Sequence, residues 1–274
     1  MRELIKAVSN ELNVDRNEAE LVVAALMDRP RFELYMKSTL DENEKEILWS
    51  RIMQLKEGMP IEYITERTQF LDSTLKILPG VFIPRVETEY FAEIIPKYVT
   101  QRPERILEIG TGCGAISIGL ARKYPEAEIL ATDISSRAIE NAHYNIEQFQ
   151  LESRISLLQC NMYESFKGTF DLIVSNPPYV PHARMVKLPK SVREFEPLAA
   201  IDGGEHGVQF IEKLIVQGID HLSTRGIMAV EIDEDSVGIL KTFLKNRHIE
   251  SFVFRKDLYN KYRYLFIGAS HEES

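Results

Sequence analysis

"RILEIGTGCGAISIGLARKY", residues 105–124, changes period twice, and its reading decides the fold. Arg105 to Ile109 is a short apolar run interrupted by Glu108, as expected of a strand buried on both faces. Gly110, Gly112 and Gly114 then crowd a turn, where glycine lets the backbone bend tightly and approach a ligand closely. Ala115 to Tyr124 reads as a helix. The same alternation continues downstream. "EILATD" (128–133), "RISLLQC" (154–160), "FDLIVS" (170–175), "GIMAVEI" (226–232), "ESFVFRKD" (250–257) and "YRYLFIGA" (262–269) read as strands. "SRAIENAHYNIEQF" (136–149) and "VQFIEKLIVQGIDHL" (208–222) read as helices, and a last helix precedes the final two strands. Alternating strands and helices predict an α/β chain with a doubly wound, mostly parallel sheet.

Upstream the pattern differs. "RELIKAVSNEL", "RNEAELVVAALMD" and "DENEKEILWSRIMQLKEG" carry apolar residues at helical spacing, so residues 1 to about 65 form a helical module. Asp41 reads as the N-cap of the third helix with Glu44 as its capping-box partner, and Gly58 as its stop. "QFLDSTLKILPG" (69–80) predicts a hairpin turning at Asp72 and Ser73, and a new helix begins near Glu87.

Composition narrows the function classes. The 42 acidic residues exceed the 33 basic ones, for a net charge of −9, which disfavours avid binding to a phosphate backbone. Cys113 and Cys160 form no CxxC pair, and the six histidines make no metal-ligand motif, so neither a disulfide scaffold nor a metal centre is expected. The N-terminus does not read as a signal sequence, and no run approaches the roughly 18 apolar residues of a membrane span. A reducing cytoplasm is the expected location.

Chemistry concentrates at the C-terminal ends of the strands, where doubly wound sheets bind ligands. The glycine loop "LEIGTGCGA" (107–115), with Asp133 ending the next strand, points to an adenosine-type cofactor, the aspartate facing ribose hydroxyls. Gly110, Gly112 and Ala115 also satisfy a dinucleotide pattern, so a nicotinamide oxidoreductase is a rival. Glu108 favours S-adenosyl-L-methionine, because a carboxylate suits its ammonium and sulfonium groups better than a pyrophosphate. "AISIG" (115–119) misses the nucleophile-elbow pattern at its first position, and Ser117 reads as packing.

"NPPY" (176–179) comes directly after "FDLIVS". Two prolines stop the strand and stiffen the chain around them. Asn176, through its side-chain carbonyl, and Pro177, through its main-chain carbonyl, could accept the two N–H groups of a planar amide or exocyclic amine. Tyr179 offers that group a stacking face. Methyl transfer then needs positioning rather than a nucleophilic side chain. The other reading is a proline-stiffened turn with an Asx cap.

With these motifs in place, the chain resembles the glutamine-amide methyltransferases that act on peptide chain release factors. The resemblance runs through "GMPIEYI" (58–64), "IPRVETE" (83–89), "LEIGTGCGAI" (107–116), "SNPPYVP" (175–181), "EPLAAIDGGEHG" (196–207) and "RKDL" (255–258). NPPY and the glycine loop are shared with adenine-specific DNA methyltransferases, and a sister group acts on a ribosomal-protein glutamine. The resemblance implies a seven-stranded class I S-adenosylmethionine-dependent methyltransferase fold, Rossmann-like, divided into a helical substrate-docking domain (1–68), a β-hairpin linker (69–85) and a catalytic domain (86–274). Glu108, Gly110, Thr111, Gly112, Cys113, Gly114, Asp133, Met162, Asn176 and Thr88 are its implied cofactor residues, with S-adenosyl-L-homocysteine as product. Asn176, Pro177, Pro178 and Tyr179 would hold the substrate glutamine, in a Gly-Gly-Gln loop, with Arg85 and Glu87 nearby. The implied partner is a release factor, with no direct nucleic-acid or membrane contact, and the implied state is a monomer. Four features depart from the family pattern: Cys113, "CNM" (160–162), His206 and Asp233. The locally basic "HARMVKLPKSVRE" (182–194) reads either as a solvated loop or as a lid touching the partner.

Overall fold

The computed structural model describes residues 1–36 and 40–268, so Ala269 of the expected last strand and His271 lie outside the described residues. The chain divides into two compact units, Met1–Arg67 with Pro189–Phe195, and Thr68–Leu188 with Glu196–Ser274.

The first unit is helical: α1 (Arg2–Leu12), α2 (Arg16–Leu26), α3 (Glu33–Met36), α4 (Glu42–Lys56) and α5 (Ile61–Thr65). Their boundaries follow from capping. Asp15 accepts from the Glu18 N–H, and Asp41 and Glu44 satisfy each other's backbone N–H groups as a capping box. Just beyond α4, Gly58 takes φ 99°, the left-handed geometry that closes helices. The apolar stripes of α1, α2 and α4 meet in a core that includes Ile5, Val8, Val23, Leu26, Leu48 and Ile52.

The second unit begins at Thr68, within the hairpin of β1 (Arg67–Phe70) and β2 (Ser73–Lys76). Its turn is Leu71–Asp72, with Leu71 at φ 50°, so Ser73 opens the second strand instead of sitting in the turn. Next come α6 (Val86–Ile94), β3 (Arg105–Ile109), α7 (Ala115–Lys123), β4 (Glu128–Asp133), α8 (Ser136–Gln148), β5 (Ile155–Gln159) and β6 (Phe170–Ser175). The basic segment contains the short helices α9 (His182–Met185) and α10 (Lys190–Phe195), and α10 groups with the helical unit. Within that unit the aliphatic stem of Lys190 lies against Gly58, where an added Cβ would stand 3.3 Å from Lys190 Cδ. The chain closes with α11 (Gln209–Gly218), β7 (Leu222–Glu231), α12 (Val237–Asn246), β8 (Phe252–Lys256) and β9 (Tyr262–Ile267).

The large sheet has seven strands in the order β5-β4-β3-β6-β7-β9-β8. β3 to β7 are parallel and β9 runs antiparallel to both its neighbours. The expected class I architecture is therefore the one observed. Chain order reverses direction at β3, so a crevice opens between β3 and β6 at their C-terminal ends. In register, Ile109 faces Thr132 on one side and Ser175 on the other, which sets the glycine loop between Asp133 and Asn176. Beneath it lies a core including Leu107, Ile173, Met228 and Val230. Among the described residues no helix is long and apolar enough to cross a membrane.

Candidate active site

A cleft opens at the crevice, with about 1080 Å³ of empty space when the solvent at its mouth is included. Its floor is the glycine loop, with φ of 77°, 57° and 86° at Gly110, Gly112 and Gly114. An added Cβ at Gly110 or Gly112 would meet nothing within 4 Å. These glycines are thus needed for backbone geometry and leave open space beside the main chain, as a ligand cradle requires. The loop is held from β4: Gly110 and Thr111 donate to the Thr132 carbonyl, and Gly112 N–H donates to Asp133 Oδ2 at 2.9 Å. Asp133 Oδ1 accepts from Ser135 N–H, so the aspartate braces the loop while lining the cleft.

Glu108 lines the same cleft yet is only 1% exposed. Its Oε2 accepts from Thr111 Oγ1 (2.8 Å), from Ser117 N–H (3.1 Å) and from Ser117 Oγ. Ser117 therefore does more than pack: it holds the carboxylate in place. Burial pushes Glu108 up to about 7, and burial likewise pushes Glu231 up to about 7. Between pH 4.5 and about 7 both carboxyls are protonated in the folded chain, whereas their unfolded counterparts are ionised. Their contribution to stability is present below pH 4.5 and is lost as pH rises to about 7. Glu108→Gln is accordingly expected to flatten the fall in melting temperature between pH 5 and pH 8, removing a slope worth on the order of 3 kcal/mol. Unchanged pH dependence in thermal denaturation would refute it.

Part of the cleft wall is apolar. Met162, with φ 52° and 8% exposed, lines it, and Cys160 Sγ contacts the Met162 carbonyl. Cys113 also lines the cleft, buried, with its thiol pushed up to about 12 by burial. Its carbonyl accepts from Asn145 Nδ2, and Asn141 and Asn145 on α8 also bind the Lys76 and Leu78 backbone. Two fully buried asparagines thus stitch the end of the hairpin to the glycine loop. The periodic pattern of α8 did not mark them out. A pair of amides one helical turn apart on a buried face was the available signal.

Opposite the loop, Asn176 Nδ2 donates to Thr88 Oγ1 at 2.9 Å. Thr88 Oγ1 in turn donates to Glu231 Oε2 at 2.9 Å, and Tyr179 O–H donates to Glu231 Oε1 at 3.0 Å. Asn176 Oδ1 and the Pro177 carbonyl receive no hydrogen bond from any described residue. Asn176, Pro177 and Pro178 line the cleft, whereas Tyr179 does not, its ring lying against the core.

NPPY is kept extended by the motif "DGGEHG" (202–207). Val180 N–H donates to Ile201 O, Gly203 N–H donates to Val180 O, and Val180 bridges Asp202. Glycine is required because the two backbones nearly touch: a Cβ on Gly203 would lie 2.7 Å from Tyr179 Cα.

The segment before α6 is braced separately. Glu196, 5% exposed, pairs with Arg85 and accepts from the Ile83 N–H. Arg85 and Glu87 do not line the cleft, while Thr88 and Phe82 do. The basic segment is not an unstructured loop. Arg184 on α9 pairs with Asp233 (2.8 Å) and Asp235 (3.2 Å), and Arg263 on β9 shares Asp233. Asp233 thus serves as the anchor of α9, a use that a glycine there could not supply.

Residues 72–192 match the Methyltransferase small domain and residues 3–65 the PrmC N-terminal domain. A release factor glutamine methyltransferase of Rhodopirellula baltica is 31% identical over 83% of this chain and 80% of its own length. Another, of Dictyoglomus turgidum, is 36% identical over 86% of each chain. Among solved structures, a ribosomal protein L11 methylase of Lactobacillus delbrueckii superposes with a TM-score of 0.51 at 21% identity, over 70% of this chain and 82% of that one.

Proposed function

The chain belongs to the release factor glutamine methyltransferase family, and from that premise we propose that it methylates the side-chain amide nitrogen of the glutamine in the Gly-Gly-Gln loop of a peptide chain release factor. The observation that carries this reading is the pair of unpartnered acceptors, Asn176 Oδ1 and Pro177 O, at the edge of the cleft. A primary amide presents two N–H donors in one plane, and two rigid acceptors suit it. An amide nitrogen is a poor nucleophile because its lone pair is delocalised. Holding both hydrogens turns the lone pair toward the cleft and prepays the orientation, with the reacting atoms brought to about 3–3.5 Å. The prolines keep the acceptors from relaxing.

The cleft fits S-adenosylmethionine. Glu108 suits its cationic end, Asp133 its ribose, Met162 its adenine, and the open side of Gly110 and Gly112 its backbone approach. When bound it would supply a methyl group on a cationic sulfur and leave as S-adenosylhomocysteine, the amide nitrogen giving up one of its two hydrogens as a proton. The role of the protein is to align, desolvate and hold. Arg85 acts through Glu196 to shape the segment that carries Thr88, and the helical unit serves to grip the release factor. The enzyme works as a monomer in the cytoplasm without touching nucleic acid directly.

The deciding experiment is mass spectrometry of the Gly-Gly-Gln peptide after a release factor from the same cell is incubated with the protein and S-adenosylmethionine. A gain of one methyl on that glutamine is expected. Cofactor binding with no methyl on the release factor would discard the partner and direct the search to other protein glutamines and to adenines.

A further inference from the structure

Asn176 can act as an acceptor only if its amide faces the right way, and nothing in NPPY itself decides that. An asparagine amide flips with little change of shape, exchanging a carbonyl oxygen for an NH₂ group. Presented the wrong way round, it would aim donors at the donors of the substrate amide.

The choice is made behind it. Thr88 Oγ1 is bonded to Glu231 Oε2 and to Asn176 Nδ2, each at 2.9 Å. A hydroxyl has one hydrogen to give. With that hydrogen committed to a carboxylate, Thr88 has only lone pairs left for Asn176, so the NH₂ group must turn to it and Oδ1 must turn away. Glu231 is fully buried at the end of β7, and its second oxygen accepts from Tyr179 O–H at 3.0 Å. One carboxylate thereby orients the two polar residues of NPPY.

We propose that Glu231 is a positioning residue that, acting through the Thr88 hydroxyl, sets which end of the Asn176 amide faces the substrate. This rests on the proposed methyl transfer, in which Asn176 accepts from the substrate amide. It names a residue outside both motifs and a task for Thr88 distinct from contact with the cofactor.

Protonation of Glu231 on Oε2 would reverse the chain. The carboxyl would donate to Thr88, Thr88 would donate to Asn176, and the amide would turn its oxygen inward. The groups around Glu231 set where this happens: Glu87 on α6 raises its proton affinity and Arg263 on β9 lowers it, with Tyr179 and Tyr264 adjacent. Burial dominates, placing the change at about 7. The fall in kcat therefore lies on the acid side.

The test compares Thr88→Val, which keeps shape and loses the hydroxyl, with Thr88→Ser, which keeps the hydroxyl. Thr88→Val is expected to lower kcat at least tenfold, with the release-factor KM within threefold of wild type. Thr88→Ser is expected to stay within threefold in kcat. Glu231→Gln should lose the acid limb of the kcat profile, and the double variant Thr88→Val/Glu231→Gln should be no more than threefold worse than the poorer single variant. If Glu231→Gln does not fold, the two Thr88 variants decide. A second readout needs no substrate: the side-chain amide protons of Asn176, assigned by ¹⁵N NMR through their loss in Asn176→Ala. They should shift through pH 7 in wild type and be moved by Thr88→Val at constant pH. Thr88→Val with kcat within twofold of wild type, or amide resonances indifferent to both pH and that substitution, would overturn the proposal. Absence of methylation by the wild-type protein would instead sink the proposed function, and the NMR measurement would still decide the relay.

Discussion

Asn176→Ala is expected to lower kcat by about 10²–10³-fold, the size of effect seen when one preorganised polar contact to a reacting group is removed. The substitution deletes the acceptor at the cleft edge and also frees Thr88, which keeps its bond to Glu231. Folding should be little affected, because Asn176 is half-buried and its backbone is held by the prolines and by the pairing of Val180 with the 201–203 segment. Melting temperature should therefore stay close to wild type while turnover collapses. Circular dichroism and calorimetry beside the methylation assay separate the two effects. Activity within threefold of wild type would show that Asn176 is not the acceptor.

The second large effect arises away from the cleft. Gly207→Ala is expected to destabilise the protein by about 2–4 kcal/mol and to cut activity severely. Two costs combine. Gly207 has φ 73°, which a residue with a Cβ adopts at a penalty of about 1 kcal/mol or more. The new Cβ would also stand 2.3 Å from the Tyr179 carbonyl oxygen and 3.1 Å from Pro181 Cγ. Forced overpacking of this kind typically costs about 1–3 kcal/mol. The backbone that yields is Tyr179–Pro181, so strain meant for a loop is delivered to NPPY. A drop of several degrees in melting temperature together with reduced kcat is the expected result. A stable variant with normal turnover would mean that this loop moves freely of the site.

Both substitutions concern segments that the sequence displayed openly, "SNPPYVP" and "EPLAAIDGGEHG", yet only one of them was given a task. A strand followed by two prolines has few physical meanings, so Asn176 and Pro177 could be placed at a sheet edge with their acceptors free. A cluster of glycines admits many. Only the approach of Gly203 and Gly207 to the Tyr179 backbone shows that "DGGEHG" is the second half of the NPPY platform. Tyr179 illustrates the converse. Its sequence position suggested a stacking face at the cleft, whereas its hydroxyl is turned inward to Glu231. A buried carboxylate is a stronger attractor for a tyrosine O–H than open solvent is, and that carboxylate lies 52 residues further along the chain.

By itself the sequence determined the class of architecture, the helical module, the glycine turn, the capping of α4 and the sheet edge at which the cleft opens. These depend on local periodicity, on the restricted dihedrals of proline and the freedom of glycine, all of which act within a few residues. Only the tertiary structure decided that Ser117 holds Glu108, that Asn141 and Asn145 stitch the hairpin to the glycine loop, and that α10 joins the helical unit. It alone disclosed the line from Glu231 through Thr88 to Asn176. The physical reason is common to all of them. A buried polar group must find a partner once water is excluded, and which partner it finds depends on what the packed sheet brings within hydrogen-bonding distance, not on what is near it in the chain.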